Sequence, residues 1–240
     1  MDNLLESVLK AHGGLDRWTK FSKLTATIVS GGGLFQLKGI EEDLTPREIT
    51  VILANEITYI APFGKPDWHA TFTPNRVAVE SNTGELILEV NNPRNLFSGH
   101  VMATPWEAKH RAYFTGYTLW TYLTTPFLLA HPGIEVTEIS PWQEGNESWR
   151  GLHVQFPDEI ASHSKEQIFY FGEDFLLRRQ DYAVDIAGGF WSAHYDSDMI
   201  EVDGFRFPTK RRVYLRAPNG KPIKEMLMVW IDLKDFRFTL

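Results

Sequence analysis

The chain has 240 residues, with 24 Lys+Arg against 31 Asp+Glu, a formal net charge of −7, 16 Phe, 8 Trp, 8 Tyr and no Cys. That length suits one large domain or two small ones, and the acidic balance excludes a general phosphate-backbone binder, which needs clustered Lys and Arg. The missing thiols exclude disulfides, Cys-held zinc, iron–sulfur clusters and thiol catalysis.

From the N-terminus, Asp2 or Asn3 can cap a short amphipathic helix with Leu4, Leu5, Val8 and Leu9 on one stripe, ended by Gly13-Gly14. The start lacks the basic residues and apolar core of a secretory leader, and no apolar run nears the roughly 18 residues of a membrane span. A cytoplasmic location with no membrane span is the expectation. Leu15, Trp18 and Phe21 lead into a strand over 24–30 rich in Thr, Ile and Val. Gly31-Gly32-Gly33 lacks the spacing and the following helix of a dinucleotide loop, so it predicts a turn, a bulge or a close backbone contact.

Residues 47–53, 56–60, 68–73, 76–81 and 85–90 read as short strands separated by turn signals, the pattern of an antiparallel meander. The interval 105–129 is helical, with Thr104 as cap and Pro105 in the first turn, and Pro126 ends or kinks it. Tyr113, Tyr117 and Trp120 share one face, Phe114 with Gly116 and Thr121 another. This aromatic helix is either plain core or a lid over an apolar ligand. Strands then follow at 135–139, 148–156, 166–171, 175–185, 190–200, 205–215 and 223–238, with hairpin turns at Gly188-Gly189, Asp203-Gly204 and Asn219-Gly220. With no linker or low-complexity tract, one domain over 1–240 is the economical reading. The predicted class is α+β: a strongly curved antiparallel sheet or half-open β-barrel, with an N-terminal helix and an inserted aromatic helix as lid.

The turns set a register. A two-residue loop at Asp203-Gly204 places Asp196 opposite Arg211 and His194 opposite Val213. One at Asn219-Gly220 places Val213 opposite Met226, Arg211 opposite Met228 and Thr209 opposite Trp230. Pairing Asp185 with Gly189 places Tyr182 opposite Ser192, Gln180 opposite His194 and Arg178 opposite Asp196. Since side chains alternate, one face then gathers Arg178, Tyr182, His194, Asp196 and Arg211 in a surround of Phe190, Met226, Met228 and Trp230. The other face carries Arg179, Asp181, Arg212 and Arg216 and reads as solvated. The polar island is either a set of mutually satisfied structural groups or a binding or catalytic site.

No HxH, HExxH or GxSxG spacing occurs, so neither a metal nor a serine nucleophile is indicated. His163 and His194 could meet near Asp196 as a His/carboxylate pair, without supporting spacing. Acid–base chemistry is the more plausible enzymatic route, with His194 titrating, Asp196 orienting it, and Tyr182, Arg178 or Arg211 polarising a substrate. No cofactor is called for.

Several segments carry a resemblance: His163-Ser-Lys-Glu-Gln-Ile-Phe-Tyr-Phe, Leu176-Leu-Arg-Arg-Gln-Asp-Tyr, Ala193-His-Tyr, Pro208-Thr-Lys-Arg-Arg-Val-Tyr, Ile231-Asp-Leu and the aromatic stretch from Trp106 to Leu123. Together they resemble an uncharacterised bacterial protein family of about this length. The N-terminal helix, Gly13-Gly-Leu-Asp-Arg-Trp and a long meander with an inserted helix are similar to the lipoprotein carriers of the LolA/LolB type. The resemblance implies a half-open barrel that holds acyl chains under covering helices, with no catalytic motif. The expected function is binding of a hydrophobic small molecule or lipid, with Tyr113, Tyr117, Trp120, Phe190, Met226, Met228 and Trp230 as contact residues. The alternative is a cofactor-independent enzyme working in the same cavity.

Overall fold

The structure, a computed structural model, describes residues 3–240, so Asp2 as a cap lies outside the described residues. Asn3 caps α1 (Leu4–Ala11), its side chain accepting from the Leu5 amide at 3.0 Å. After α2 (Leu15–Trp18) come β1 (Lys23–Gly31), α3 (Gly33–Leu37) and a meander of β2 (Arg47–Ile52), β3 (Ile57–Ala61), β4 (Trp68–Thr73), β5 (Arg76–Ser81) and β6 (Leu86–Asn91). A 3-10 turn (Pro93–Phe97) leads to α4 (Ala108–Thr124). A second meander follows: β7 (Glu135–Glu144), β8 (Glu147–Gln155), β9 (Glu166–Phe171), β10 (Leu177–Val184), β11 (Phe190–Val202), β12 (Phe205–Arg216) and β13 (Pro222–Thr239).

All thirteen strands belong to one open antiparallel sheet, in the order β6-β5-β4-β3-β2-β1-β13-β12-β11-β10-β9-β8-β7. The pairing of β1 with β13 joins the two meanders into two wings. In β1 the alternation of Leu24, Ala26 and Ile28 with Thr25 and Thr27 puts the apolar set inside and the threonines out. Both wings touch α4, so the sheet curls around the helix. α4 packs on β2 to β5, while Arg211 of β12 reaches its Tyr122 carbonyl at 2.9 Å. One end of the curl is filled by rings, with Trp18 stacked on Phe127 at 4.3 Å and edge-on to Phe205 at 5.6 Å. The other end is closed by the 157–165 loop, whose Ala161 amide donates to Glu56 at 2.9 Å across the wings.

Several sequence expectations need correction. α4 begins at Ala108, not near Pro105, and Glu107 is its cap, paired with His110 in a capping box. The Trp106 amide is committed to the Lys38 carbonyl at 2.8 Å, which holds the preceding residues as an extended strap. A short helix, α3, does follow the glycine run. The close backbone contact expected there is real, since a Cβ on Gly32 would lie 2.5 Å from the Met228 carbonyl oxygen.

The β10–β11 and β11–β12 registers are as the turns implied, with Tyr182 opposite Ser192 and Asp196 opposite Arg211. The β12–β13 register is not. Bulges on either side of Tyr214 shift it, so Val213 faces Val229, Arg211 faces Ile231 and Trp230 faces Arg212. The outer face is not simply solvated either. Arg179 and Asp181 are both 0% exposed, beneath Trp142 and beside Tyr195 and Arg216.

Candidate functional site

Between α4 and β10–β12 runs a continuous chain of polar side chains, almost all fully buried. The Tyr117 hydroxyl sits 3.0 Å from His163 Nδ1, and His163 Nε2 is 2.9 Å from the Tyr122 hydroxyl. The Tyr122 and Tyr182 hydroxyls are 2.5 Å apart, and the Tyr182 hydroxyl is 3.3 Å from His194 Nδ1. His194 Nε2 faces Asp196 Oδ1 at 3.4 Å, too long for a good hydrogen bond, and that nitrogen has no other partner among the described residues. Asp196 is satisfied elsewhere, accepting from Arg211 Nη1 at 2.6 Å and from Gln180 Nε2 at 3.1 Å. Arg211 ends the chain by donating Nη2 to the Tyr122 carbonyl of α4.

Local sequence explains each placement. Tyr113 and Tyr117 lie one helical turn apart, and Tyr122 falls on the adjoining stripe that faces β10–β12. Tyr182, Gln180, His194, Asp196 and Arg211 share the inner face because the two hairpin turns fix their register. His163 comes from the 157–165 loop, and its ring stacks on Tyr182 with centroids 4.1 Å apart and 3° between planes.

Burial sets the electrostatics. It pushes the imidazoles of His163 and His194 below the ordinary value, and for His163 the neighbouring His194 and Arg94 add to the effect. Both rings are therefore neutral near pH 7. A neutral imidazole has one donor and one acceptor, which the two tyrosine hydroxyls on His163 match. Burial also raises the Tyr122 and Tyr182 hydroxyls, so neither ionises. Burial alone would raise Asp196, yet the Arg211 guanidinium, helped by the hydrogen bond from Gln180, holds it below the usual carboxylate value. The chain thus carries a single ion pair, Asp196 with Arg211, and is otherwise neutral.

The structure brings together Tyr182, His194, Asp196 and Arg211 of the predicted island, with Tyr117 of the predicted contacts. It does not bring Arg178, which sits at the β9–β10 bulge and pairs with Asp174 at 2.6 Å. Tyr113 is buried beside Tyr117, 5.3 Å between centroids, and its hydroxyl is 3.5 Å from Arg94. Trp120 points to the other wing and donates to the Ile52 carbonyl at 2.8 Å. Met228 is buried; Phe190 is half-buried, Met226 is 39% exposed and Trp230 lies against Gly31 and Arg212, so these three stand apart from the chain. Sequence reasoning did not single out Tyr122, placed Gln180 opposite His194 without giving it a role, and placed His163 only as part of a hypothetical metal site. Among the described residues no group of three His, Asp or Glu gathers as a metal would require.

α4 meets the two wings differently. Toward β2–β4 the contact is tight: the Thr58 hydroxyl donates to the Gly116 carbonyl at 2.9 Å, and a Cβ on Gly116 would lie 2.3 Å from Phe72. Toward β10–β12 it includes the hydroxyl–imidazole chain and the bond from Arg211 to the Tyr122 carbonyl. No helix among the described residues is long and apolar enough to cross a membrane.

No protein-family model matches the chain. No curated protein matches it in sequence. Solved structures do match in fold. A LolA superfamily protein from Nitrosomonas europaea is 11% identical over 96% of this chain and 91% of that one, with a TM-score of 0.51. A DUF1329 family protein from Desulfovibrio piger is 10% identical, covering 98% of this chain and 91% of that one, with a TM-score of 0.49. The fold is LolA-like: an open antiparallel sheet with covering helices, as the sequence resemblance implied.

Proposed function

We propose that the protein binds a hydrophobic small molecule or the acyl part of a lipid between α4 and the β9–β12 wing, with α4 as the lid. The observation that carries this reading is the asymmetry of α4. Its contact with β2–β4 leaves no room for a methyl group at Gly116, whereas its contact with β10–β12 carries a line of exchangeable hydrogen bonds. A net hydrogen bond stabilises by about 1 kcal/mol, because water can take its place, so a polar seam opens at lower cost than an apolar one of equal area. Opening would uncover Leu152, Phe169, Leu177 and Val213 on the inner face of the second wing. The LolA-like fold supports the same reading by analogy of architecture.

The test is titration with a fluorescent fatty acid, together with native mass spectrometry and solvent extraction of the purified protein. Saturable binding is expected, and binding should be faster in a seam-weakened variant, Tyr122→Phe with His163→Ala. Absence of saturable binding in both proteins would refute the proposal. The unpartnered Nε2 of His194 favours one second reading, an acid–base enzyme in the same seam. A mass change in the extracted ligand that His194→Gln abolishes would put that reading in first place.

A further inference from the structure

At the loop-closed end of the seam, the β4–β5 turn, the Pro93–Phe97 turn and the 157–165 loop surround a cleft of about 480 Å³. It lies outside the polar chain, not within it: Tyr113 and Ser162 line its base, and His163 is the next residue inward. Three asparagines, Asn75, Asn92 and Asn95, stand on its walls, and their side-chain amides have no hydrogen-bond partner among the described residues. Each amide offers an acceptor and two donors, the complement of a hydroxyl, which is both at once.

The charges in the cleft cancel. Lys165 is ion-paired with Asp158. Arg94 donates to the Ser162 carbonyl at 3.0 Å and lies 3.5 Å from Asp185. Glu159 has no ion pair among the described residues, so the lining itself carries two positive and two negative side chains. An anion would meet Asp158 and Glu159, and a cation would meet Arg94 and Lys165. Pro74, Pro157 and Ile160 supply apolar surface for the C–H face of a ring. The walls are also fixed in place. Asn92 holds a left-handed backbone at φ 50°, its amide bonded to the Asn75 carbonyl at 2.8 Å, and Glu56 ties the 157–165 loop to the first wing. A site pre-formed in this way loses little freedom on binding.

We infer that this cleft binds a neutral, hydroxyl-rich group, a sugar or glycerol unit, either free or as the headgroup of a lipid. Only the lipid-borne form rests on the carrier reading above. The cleft adjoins the loop-closed end of the seam through Tyr113 and Ser162, so a headgroup held there would have its chains beside α4.

The experiment titrates ¹⁵N-labelled protein with methyl glucoside, glycerol and inorganic phosphate, and separately with vesicles of glycosyl diacylglycerol or of phosphatidylcholine. Side-chain amide resonances are read in the wild type and in the variant carrying Asn75→Ala and Asn95→Ala, which leaves the left-handed Asn92 in place. Methyl glucoside should shift the asparagine amides saturably, and the variant should bind about tenfold more weakly, the loss expected from one to two hydrogen bonds. The variant alters two exposed side chains, so a matching thermal midpoint will show that it folds. Selective loss of glycosyl-lipid capture in the variant would assign the headgroup form. Sugar binding without lipid capture would keep this inference and remove the carrier reading. Lipid capture indifferent to headgroup and to the variant would keep the carrier and overturn this inference. Amide shifts with phosphate but not with glucoside would overturn it too.

Discussion

Replacing Arg211 with Met tests the polar seam most directly. The guanidinium is 1% exposed and holds Asp196 Oδ1 at 2.6 Å and the Tyr122 carbonyl at 2.9 Å. Its loss strands Asp196, 4% exposed, with Gln180 and a distant His194. Breaking a buried ion pair from one side costs about 3–5 kcal/mol, and Met fills much of the vacated volume, so little cavity term adds to it. We expect that loss at pH 7 in urea unfolding, read as a lower midpoint at an unchanged slope. The deficit should depend on pH. In the wild type, Asp196 titrates below the ordinary carboxylate value, so its contribution is complete above that value and fades as pH falls through the lower folded one. Without Arg211, burial dominates and raises the carboxyl. The variant then takes up a proton on folding, and its deficit narrows as the solution is acidified. Adding Asp196→Asn to Arg211→Met should recover most of the loss. A single-variant cost below about 1 kcal/mol at pH 7, or one that is constant with pH, would refute the view of Asp196 and Arg211 as a buried, seam-spanning pair.

Three further outcomes follow from the packing. His163 and His194 have folded values held below the ordinary histidine value, so stability should be full above about pH 6.5 and fall as pH drops, by up to about 1.4 kcal/mol per pH unit per imidazole. His12, His100 and His110 are also held below the ordinary value, so His163→Gln should remove only one imidazole's share of that slope, up to about 1.4 kcal/mol per pH unit, in pH-dependent denaturation, and an unchanged slope would exclude His163 as a contributor. Gly116→Ala forces a methyl into the Phe72 ring and should cost about 1–3 kcal/mol by thermal or urea unfolding; a neutral effect would mean that α4 is not tightly docked on β4. Arg179→Met leaves the fully buried Asp181 with Arg216 alone and should cost about 3–5 kcal/mol, whereas Arg178→Met, which removes a half-exposed pair with Asp174, should stay within about 0.5 kcal/mol. Equal costs would contradict the burial of the outer-face network.

The strand pattern was legible because short antiparallel strands are punctuated by explicit turns. The segments 68–73, 76–81 and 166–171 match the observed strands at both ends. The Asp203-Gly204 turn sufficed to pair Asp196 with Arg211, since no bulge intervenes before that pair. The Asn219-Gly220 turn was a poorer guide. Two bulges near Tyr214 lie between it and Arg211, and no local residue type announces them. That shift is why Met226 and Trp230 were expected beside an island they do not join. Arg178 and Arg179 were exchanged in role for a related reason. The β9–β10 bulge falls at Arg178, and the cover over Arg179 comes from Trp142 on the distant β7–β8 hairpin, which period-two alternation cannot foresee. His163 was hidden because a loop residue has no periodicity, and only tertiary closure carries it onto Tyr182.

The abundance of aromatic residues divides into two kinds of work. At the α1 end, Trp18, Phe127, Phe205 and Phe238 meet ring to ring, with the Arg17 guanidinium over Phe205, and burial on that scale holds the end shut. Along the seam the rings that matter are tyrosines, whose hydroxyls are spent on His163 and on one another. Phenylalanine at those positions would pack as well and would hold α4 to both wings alike. Tyrosine makes one side of the helix separable, because each hydrogen bond broken there can be remade with water or with a ligand, while Gly116 against Phe72 keeps the other side fixed. The helix is therefore expected to travel with β2–β4 when the seam parts, and the β9–β12 wing to swing away from it. This direction of opening is the reverse of a helix lifting off an intact half-barrel. Distance measurements between spin labels on α4 and on each wing would distinguish the two: on addition of ligand, the α4–β12 distance should lengthen while the α4–β4 distance stays constant.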